Sequence, residues 1–518
     1  MRPIDNCSNV WYNDYGLPIL YYRKEKNMKS KRILSAILAA LMLSPTLVSC
    51  ATTDEPDDVG SALTTAAVTE EDTGLRDNLP DDLDFDDEEI TFLSNSRAET
   101  LAEIAVEKVM GEPVNDAVFE RNMTVENRLG VKIVNLEESS GAVDKIATAV
   151  KANSDEYDVL AAECYLTLAK TIDGIFADLN DTKYLDLEQP WWSQGLNETI
   201  SHQDSQYVAA GSMLLSLYRF GFVTVFNKRI FTDADQPFLY DLVENGTWTL
   251  DKQIEMVTLF HRDNGNGVQD LEGDVYGFIT TDFTNVDAYW SACQLPIIGK
   301  DENNEYEFVF DTARVFDAAD KLIKLYHETD NAMYSDFHTD EDWLTIRQMF
   351  ADGYGAMATF RLLELENEVM RNMSDEFGVA PIPKYDEMQK EYRTLLHDQF
   401  TVIAIPTTVS GNRLDMVSAT LEALSSTGFR VVKPVYYEET LRTKIAQDPQ
   451  SAEMMDIIVN GVYIDAGIIY VSSLNYFHHE LRAIVKNGQN DTVSRFTSKS
   501  KTVSKIVTQI NKKLDKIG

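Results

Sequence analysis

The sequence predicts an α/β protein of two lobes, each a mainly parallel sheet flanked by helices. Three observations predict it. Apolar strand-like runs alternate with helical stripes from residue 90 onward. The chain left after an export leader, about 469 residues, is too long for one typical core and suits two. A second set of strand-like runs follows residue 220.

In the first set, ITFL (90–93) reads as a strand, and Val114, Val118, Val125 and Leu129 keep helical spacing. VKIVNL (131–136) is a second strand. Val143, Ile146, Ala147 and Val150 then fall at i, i+3, i+4 and i+7, one helical stripe. YDVLAA (157–162) is a third strand. This alternation implies parallel pairing with right-handed crossovers. Small molecules bind such sheets beyond the carboxyl ends of their strands. In the second set, FGFVTVFNKRIF (220–231) reads as a strand, and FADGYGAMATF (350–360) as a helix end, a glycine turn and a strand. FGVAPIPK (377–384) and FTVIAIP (400–406) are further strands, and helical periodicity covers 416–424 and the C-terminus.

The front end sets the location. Lys29, Lys31 and Arg32 precede an apolar run over 33–43, which Pro45 breaks before small residues lead to Cys50. The run is shorter than the about 20 apolar residues a membrane span needs, and has the pattern of a cleaved export signal. Leu47-Val48-Ser49-Cys50 resembles the lipobox of bacterial lipoproteins. The resemblance implies cleavage before Cys50 and lipidation of its thiol, so residues 1–49 form a leader and signal peptide. Met28 starts a conventional signal by itself, which points to a true start there; the alternative is a long n-region. Several acyl chains anchor a protein stably where one does not. The mature chain is therefore expected outside the cell membrane, held by its lipid anchor alone.

The chain carries 46 basic and 85 acidic residues, a formal −39, which repels nucleic acid and anionic lipid. Much of the excess lies just after Cys50, where fifteen acids face Arg76 alone between Ala51 and Glu89. Residues 50–87 are expected to be a disordered, self-repelling tether. Cys164 and Cys293 are the pair available for a disulfide in the mature chain, but one pair is no scaffold.

At this point the chain resembles the extracellular solute-binding proteins of bacterial ABC importers, of the maltose-binding-like family 1. The likeness is carried by YDVLAA (157–162), IFADLND (175–181), LEQPWWSQ (187–194), TVFNKRIF (224–231), NGTWTLDK (245–252), FADGYGAMATF and FGVAPIPK, in that order. It covers roughly residues 90–510 and is loosest after Pro434. It implies the two-lobe periplasmic-binding-protein fold of type II, with lobe one at 88–210 plus 395–430 and lobe two at 220–385 plus 433–518. Crossing strands would let the lobes close on a ligand like a hinge. The implied protein is a monomeric receptor that captures a small solute, a sugar or oligosaccharide, for ABC permease subunits, without a cofactor. The rivals are an exported carbohydrate-active hydrolase and an orphan ligand-sensing lipoprotein.

A sugar site wants an aromatic platform and a few carboxylates, amides or arginines. Candidates stand where strands end: Asn95, Ser96 and Arg97 after the first, Glu163 and Tyr165 after the third. Tyr289 and Trp290 follow a polar loop, Arg361 follows AMATF, and Asp398 precedes the strand at 400. Trp191 and Trp192 are adjacent; in an extended segment their rings point apart, so at most one would face a ligand. Trp248 reads as a core anchor and Thr249 as a helix N-cap.

RDNGNGVQDLEGD (262–274) resembles a degraded calcium loop, with Arg262 and Gly273 where the EF-hand pattern wants acids. Asp263, Asn264, Asn266, Asp270 and Asp274 are its candidate ligands, against a plain turn. His478-His479-Glu480 lacks further ligands at metal spacing and reads as surface histidines, so no metal is expected. Gly353, Gly355 and Ala358 mimic a dinucleotide motif, but a helix precedes them and a strand follows, the reverse of what that motif needs. Neither H-E-x-x-H, G-x-S-x-G nor a Walker A sequence occurs, and acids are too abundant for a carboxylate pair to indicate a glycosidase.

Overall fold

The computed structural model describes residues 75–517 apart from 101, 110, 268–272, 336–339 and 443–448. Cys50, the leader, most of the tether and Asp270 lie outside the described residues. Strands β1 (Glu88–Asn95), β2 (Val131–Glu138), β3 (Val159–Glu163), β4 (Phe222–Asn227), β5 (Tyr276–Thr281), β6 (Ile298–Lys300), β7 (Tyr306–Phe308), β8 (Ala332–Ser335), β9 (Gly355–Arg361), β10 (Phe377–Pro381) and β11 (Thr401–Ala404) form two principal sheets and one short ribbon. The helices that bear on the site are α1 (Pro113–Leu129), α2 (Ala142–Lys151), α3 (Cys164–Thr171), α4 (Lys228–Asp233), α5 (Leu250–Val257), α6 (Thr284–Ala292), α7 (Asp340–Ala351), α8 (Asn412–Thr427), α9 (Lys433–Arg442), α10 (His479–Asn487) and α11 (Thr492–Leu514).

The first sheet has the order β11-β3-β1-β2. Its three early strands are parallel, with Phe92 opposite Val159 and Ile90 opposite Ile133, and β11 joins β3 antiparallel. Pro113 starts α1, where its missing N–H is not needed, and Gly130 ends it in the left-handed region at φ 58°. Val143, Ile146 and Ala147 bury the expected stripe of α2. The second sheet has the order β10-β4-β9-β5-β8. Here β5 runs parallel to β8 and β9, and β4 runs antiparallel to β9 and β10. The antiparallel strands β11 and β4 are the two that follow a passage from the other sheet. Strand alternation buries both faces of β4: Phe222 and Phe226 join the large apolar core, while Val223 and Val225 pack into a second one.

Two sequence expectations change. The run 220–231 is not strand throughout: β4 stops at Asn227, whose Oδ1 accepts from Ile230 N at 3.1 Å and so starts α4. The folded body begins earlier than residue 88, inside the acidic stretch expected to be all tether. Arg128 donates to both oxygens of Asp77, at 2.7 and 2.9 Å, and Leu79 is buried. This pair and Leu79, with Leu83 and Phe85 packed on the core and Phe85 N donating to Leu129 O at 2.8 Å, hold the segment against α1. Cys164 and Cys293 are both buried and free, so they do not pair.

The chain passes between the sheets at two adjacent stretches. Gly221 bridges Leu396, Phe222 N donates to Leu395 O at 3.0 Å, and His397 N donates to Phe220 O at 3.0 Å. Near these passages, α8 runs through a π-turn at Gly428–Val432 into α9, and both helices pack against α1. Gly428 is required there, because a Cβ would sit 2.4 Å from the Ser212 carbonyl oxygen. Glu103, in the loop after β1, ties the two passages together. Its carboxyl accepts from Ser216 N and Oγ and from Thr401 Oγ1, each at 2.6 Å.

Candidate functional site

The carboxyl ends of β1 and β3 in one sheet, and of β5 and β9 in the other, meet at the crossing stretch 397–399. Each delivers charged or polar side chains there. From the first sheet, the Asn95 amide donates to Glu163. Arg97 donates to Gln399 Oε1 at 2.6 Å and lies 3.6 Å from Glu163 and 3.3 Å from Glu99. From the second sheet, Arg361 donates to Glu364 at 2.6 Å and reaches Glu99 at 3.3 Å, an ion pair that spans the two sheets. Arg219, at the first passage, donates to Glu366 at 2.7 Å and to the Glu99 carbonyl at 3.0 Å. Asp287, in the first turn of α6, accepts from Arg482 Nε at 2.8 and 2.9 Å.

The crossing residues feel Arg97, Arg361, Arg482 and Asp287. Burial pushes the Asp398 carboxyl up to about 6; Asp287 adds to the rise, while Arg482 and Arg97 oppose it. A quarter of its side chain still meets solvent, at 25 % exposure. Burial drives His397 well below the ordinary histidine range, and Arg361, Arg482 and Arg97 push the same way. His397 therefore stays neutral here, while the carboxyl beside it titrates near neutrality. The arrangement is a nest of paired donors and acceptors from both sheets, suited to grip a polar solute at many points.

Six of the sequence candidates come together: Asn95, Arg97, Glu163, Arg361 and Asp398, with Tyr165, whose N–H donates to Asp398 O at 3.3 Å. The tryptophans do not join them. Trp191 and Trp192 lie in a turn rather than an extended segment, and both indole N–H groups converge on the Glu422 carboxyl, at 3.0 and 2.9 Å. The expectation that their rings point apart fails because the backbone turns between them. Both are buried, and Trp191→Phe is expected to lower stability by about 1–2 kcal/mol in urea denaturation without altering solute binding. Trp290 is likewise core, edge-on to Phe496 at 6.1 Å, and Tyr289 donates to Gln253 at 2.9 Å. Trp248 is buried, as read from sequence, and donates to Pro381 O at 2.8 Å, with Thr249 capping α5.

Sequence reasoning missed Glu99, Gln399, Asp287 and Arg482. Glu99 and Gln399 stand one or two positions from chosen residues, so the rule that selected Arg97 would have found them; Asp287 follows β5, a strand the sequence pattern did not single out. Arg482 gave no signal, since only folding brings α10 to α6. The histidines at 478 and 479 are not a surface pair: His478 is 1 % exposed, with Asp287 Oδ2 3.8 Å from its Nε2. In the 262–274 loop, Asp263 accepts from Gly265 N and Gly267 N, and Asp274 accepts from Asn264 N at 2.9 Å. These side chains brace a turn. Among the described residues, no helix is long and apolar enough to cross a membrane.

No family model and no curated protein matches this chain. Solved structures do. A cyclic α-maltosyl-1,6-maltose binding protein from Arthrobacter globiformis is similar at a TM-score of 0.56 and 13% identity, over 82% of this chain and 100% of that one. A sugar transporter from Rhizobium etli in an open conformation matches at 0.55 and 14%, over 80% and 99%. A family 1 extracellular solute-binding protein from Bifidobacterium longum subsp. infantis matches at 0.53 and 14%, over 81% and 100%. Two of these neighbours are binding proteins by name, and the third is a sugar transporter. At such identities the likeness speaks for the fold, and this chain has the two-lobe α/β fold of the ABC solute-binding proteins.

Proposed function

We propose that this chain is a lipid-anchored, extracytoplasmic receptor that captures a sugar or oligosaccharide and passes it to ABC permease subunits. It does no chemistry on its ligand. The observation that carries the reading is the convergence of Asn95, Arg97, Glu163, Tyr165, Arg361 and Asp398 from two sheets onto one crossing. Hydroxyl-rich ligands want such paired donors and acceptors. The bodies that close are 88–210 plus 395–430 and 220–385 plus 433–518, and the Arg361–Glu99 pair is exchanged for solute contacts as they move. The sugar-binding names among the structural neighbours support the ligand class, and the lipobox supports an anchor on Cys50 with the acidic segment as tether.

The test is a thermal-shift screen against a sugar library. A cognate sugar at a hundredfold excess over Kd stabilises by about 2.7 kcal/mol, and Arg97→Ala and Asp398→Asn are expected to abolish the shift. Silence across sugars with a clear shift from peptides would defeat the carbohydrate reading. Turnover of a chromogenic glycoside, lost with one carboxylate, would defeat the receptor. Cys50→Ser is expected to move the protein from the membrane to the soluble fraction.

A further inference from the structure

We propose that Asp287, His478 and His479 form a site for a divalent transition-metal ion of the zinc class, on the second-sheet wall of the crossing. The topology brings α10, late in the chain, against α6 just beyond the carboxyl end of β5. One donor atom from each of the three side chains then lies within 4.8 Å of those of the other two. A tetrahedral ion bound at about 2.0–2.1 Å needs donors roughly 3.4 Å apart, so modest side-chain rotation closes the set. Two imidazoles and one carboxylate suit zinc, nickel or copper; calcium and magnesium prefer oxygen alone.

A second observation points to the same place. His478 is almost wholly buried, yet its Nδ1 has no hydrogen-bond partner. Buried polar atoms in folded proteins are nearly always satisfied; with Nε2 3.8 Å from Asp287 Oδ2 and Nδ1 without a partner, no hydrogen bond among the described residues ties the His478 ring away from an ion. His479 meets His478 edge-on at 4.4 Å and tilts against Tyr476 at 5.2 Å, which fixes both rings near the carboxylate.

Arg482 is the competitor. It holds both oxygens of Asp287 and lies 4.4 Å from the Phe283 ring. Without metal its guanidinium neutralises Asp287. With metal it shares the carboxylate as an outer partner, and its charge holds the affinity down. Three protein donors leave a fourth tetrahedral position for water. The site does not depend on which solute the protein takes.

The experiment measures zinc in the full chain, produced without a histidine tag and exposed to zinc chloride alone. One zinc per chain is expected to survive gel filtration. His479→Ala, at a half-buried position, is expected to keep its circular dichroism and lose affinity by more than about tenfold, the upper reach of a lost outer-shell contact being larger still. His478→Gln is expected to lose it likewise, and Arg482→Gln to tighten it. A content well below one ion per chain, or a titration that His479→Ala leaves unchanged, overturns the site.

Discussion

Glu103→Ala is expected to lower stability by about 4 kcal/mol, read as a fall in the urea midpoint at unchanged slope. The carboxyl is buried, and its three acceptor contacts reach Ser216 at one passage and Thr401 at the other. Thr401 N in turn donates to Ser216 Oγ at 2.9 Å, so the two crossing chains share one network. Truncation leaves a buried amide and two hydroxyls without an acceptor, at about 1–3 kcal/mol each when no water enters. It also removes a negative charge that supports the buried Arg121, whose guanidinium burial pulls down to about 10. Glu103→Gln keeps one acceptor oxygen and is expected to cost roughly half as much. An alanine variant within 1 kcal/mol of the parent, a threshold set by the size of one typical hydrogen bond, would mean the passages are held by the backbone pairing alone.

Replacement of Glu422 by Gln is expected to remove a pH dependence worth about 3 kcal/mol between pH 4.5 and 7. Burial raises this carboxyl to about 7 from an ordinary 4.5, against the pull of the Trp192 and Trp191 indoles. The sign follows from the folded value lying above the unfolded one. The stabilising contribution is complete below pH 4.5, because the folded state holds the proton more tightly, and is lost as pH rises through 7. Burial pushes His397 and His478 the other way, and they weaken the protein on acidification below about 6.5, so the raw curve mixes the two effects. The difference between parent and variant cancels the histidines. It should shrink steadily as pH climbs from 4.5 to 7, and a flat difference would place Glu422 in its ordinary range.

Several of the residues that converge at the crossing were legible because strand ends are legible. An apolar run that stops at Asn95, at Glu163 or at Arg361 names its own terminal polar residue, and in an α/β sheet that is where ligands bind. Choosing by residue type did worse. The tryptophans were attractive as sugar platforms, yet burial claims large aromatics first, and Trp191, Trp192 and Trp290 all went to cores. Their partners could not be foreseen, since Glu422 lies some two hundred positions away and meets the indoles only once α8 has packed against α1. The histidine pair was misread for the same reason. A stretch rich in His and Glu looks solvent-facing until α10 is seen to pack against α6.

What the sequence alone determined is local and periodic: the acidic segment, the alternation of strands and helices, and the polar residue at each strand end. Side-chain period and turn chemistry are written in neighbours a few positions apart. The tertiary structure decided which of those strand ends face one another, that Arg361 reaches Glu99, that Glu103 joins two passages, and that Asp287 meets Arg482 and two histidines. Such pairings join residues up to some three hundred positions apart, and they exist only once burial of the apolar faces has brought the sheets together.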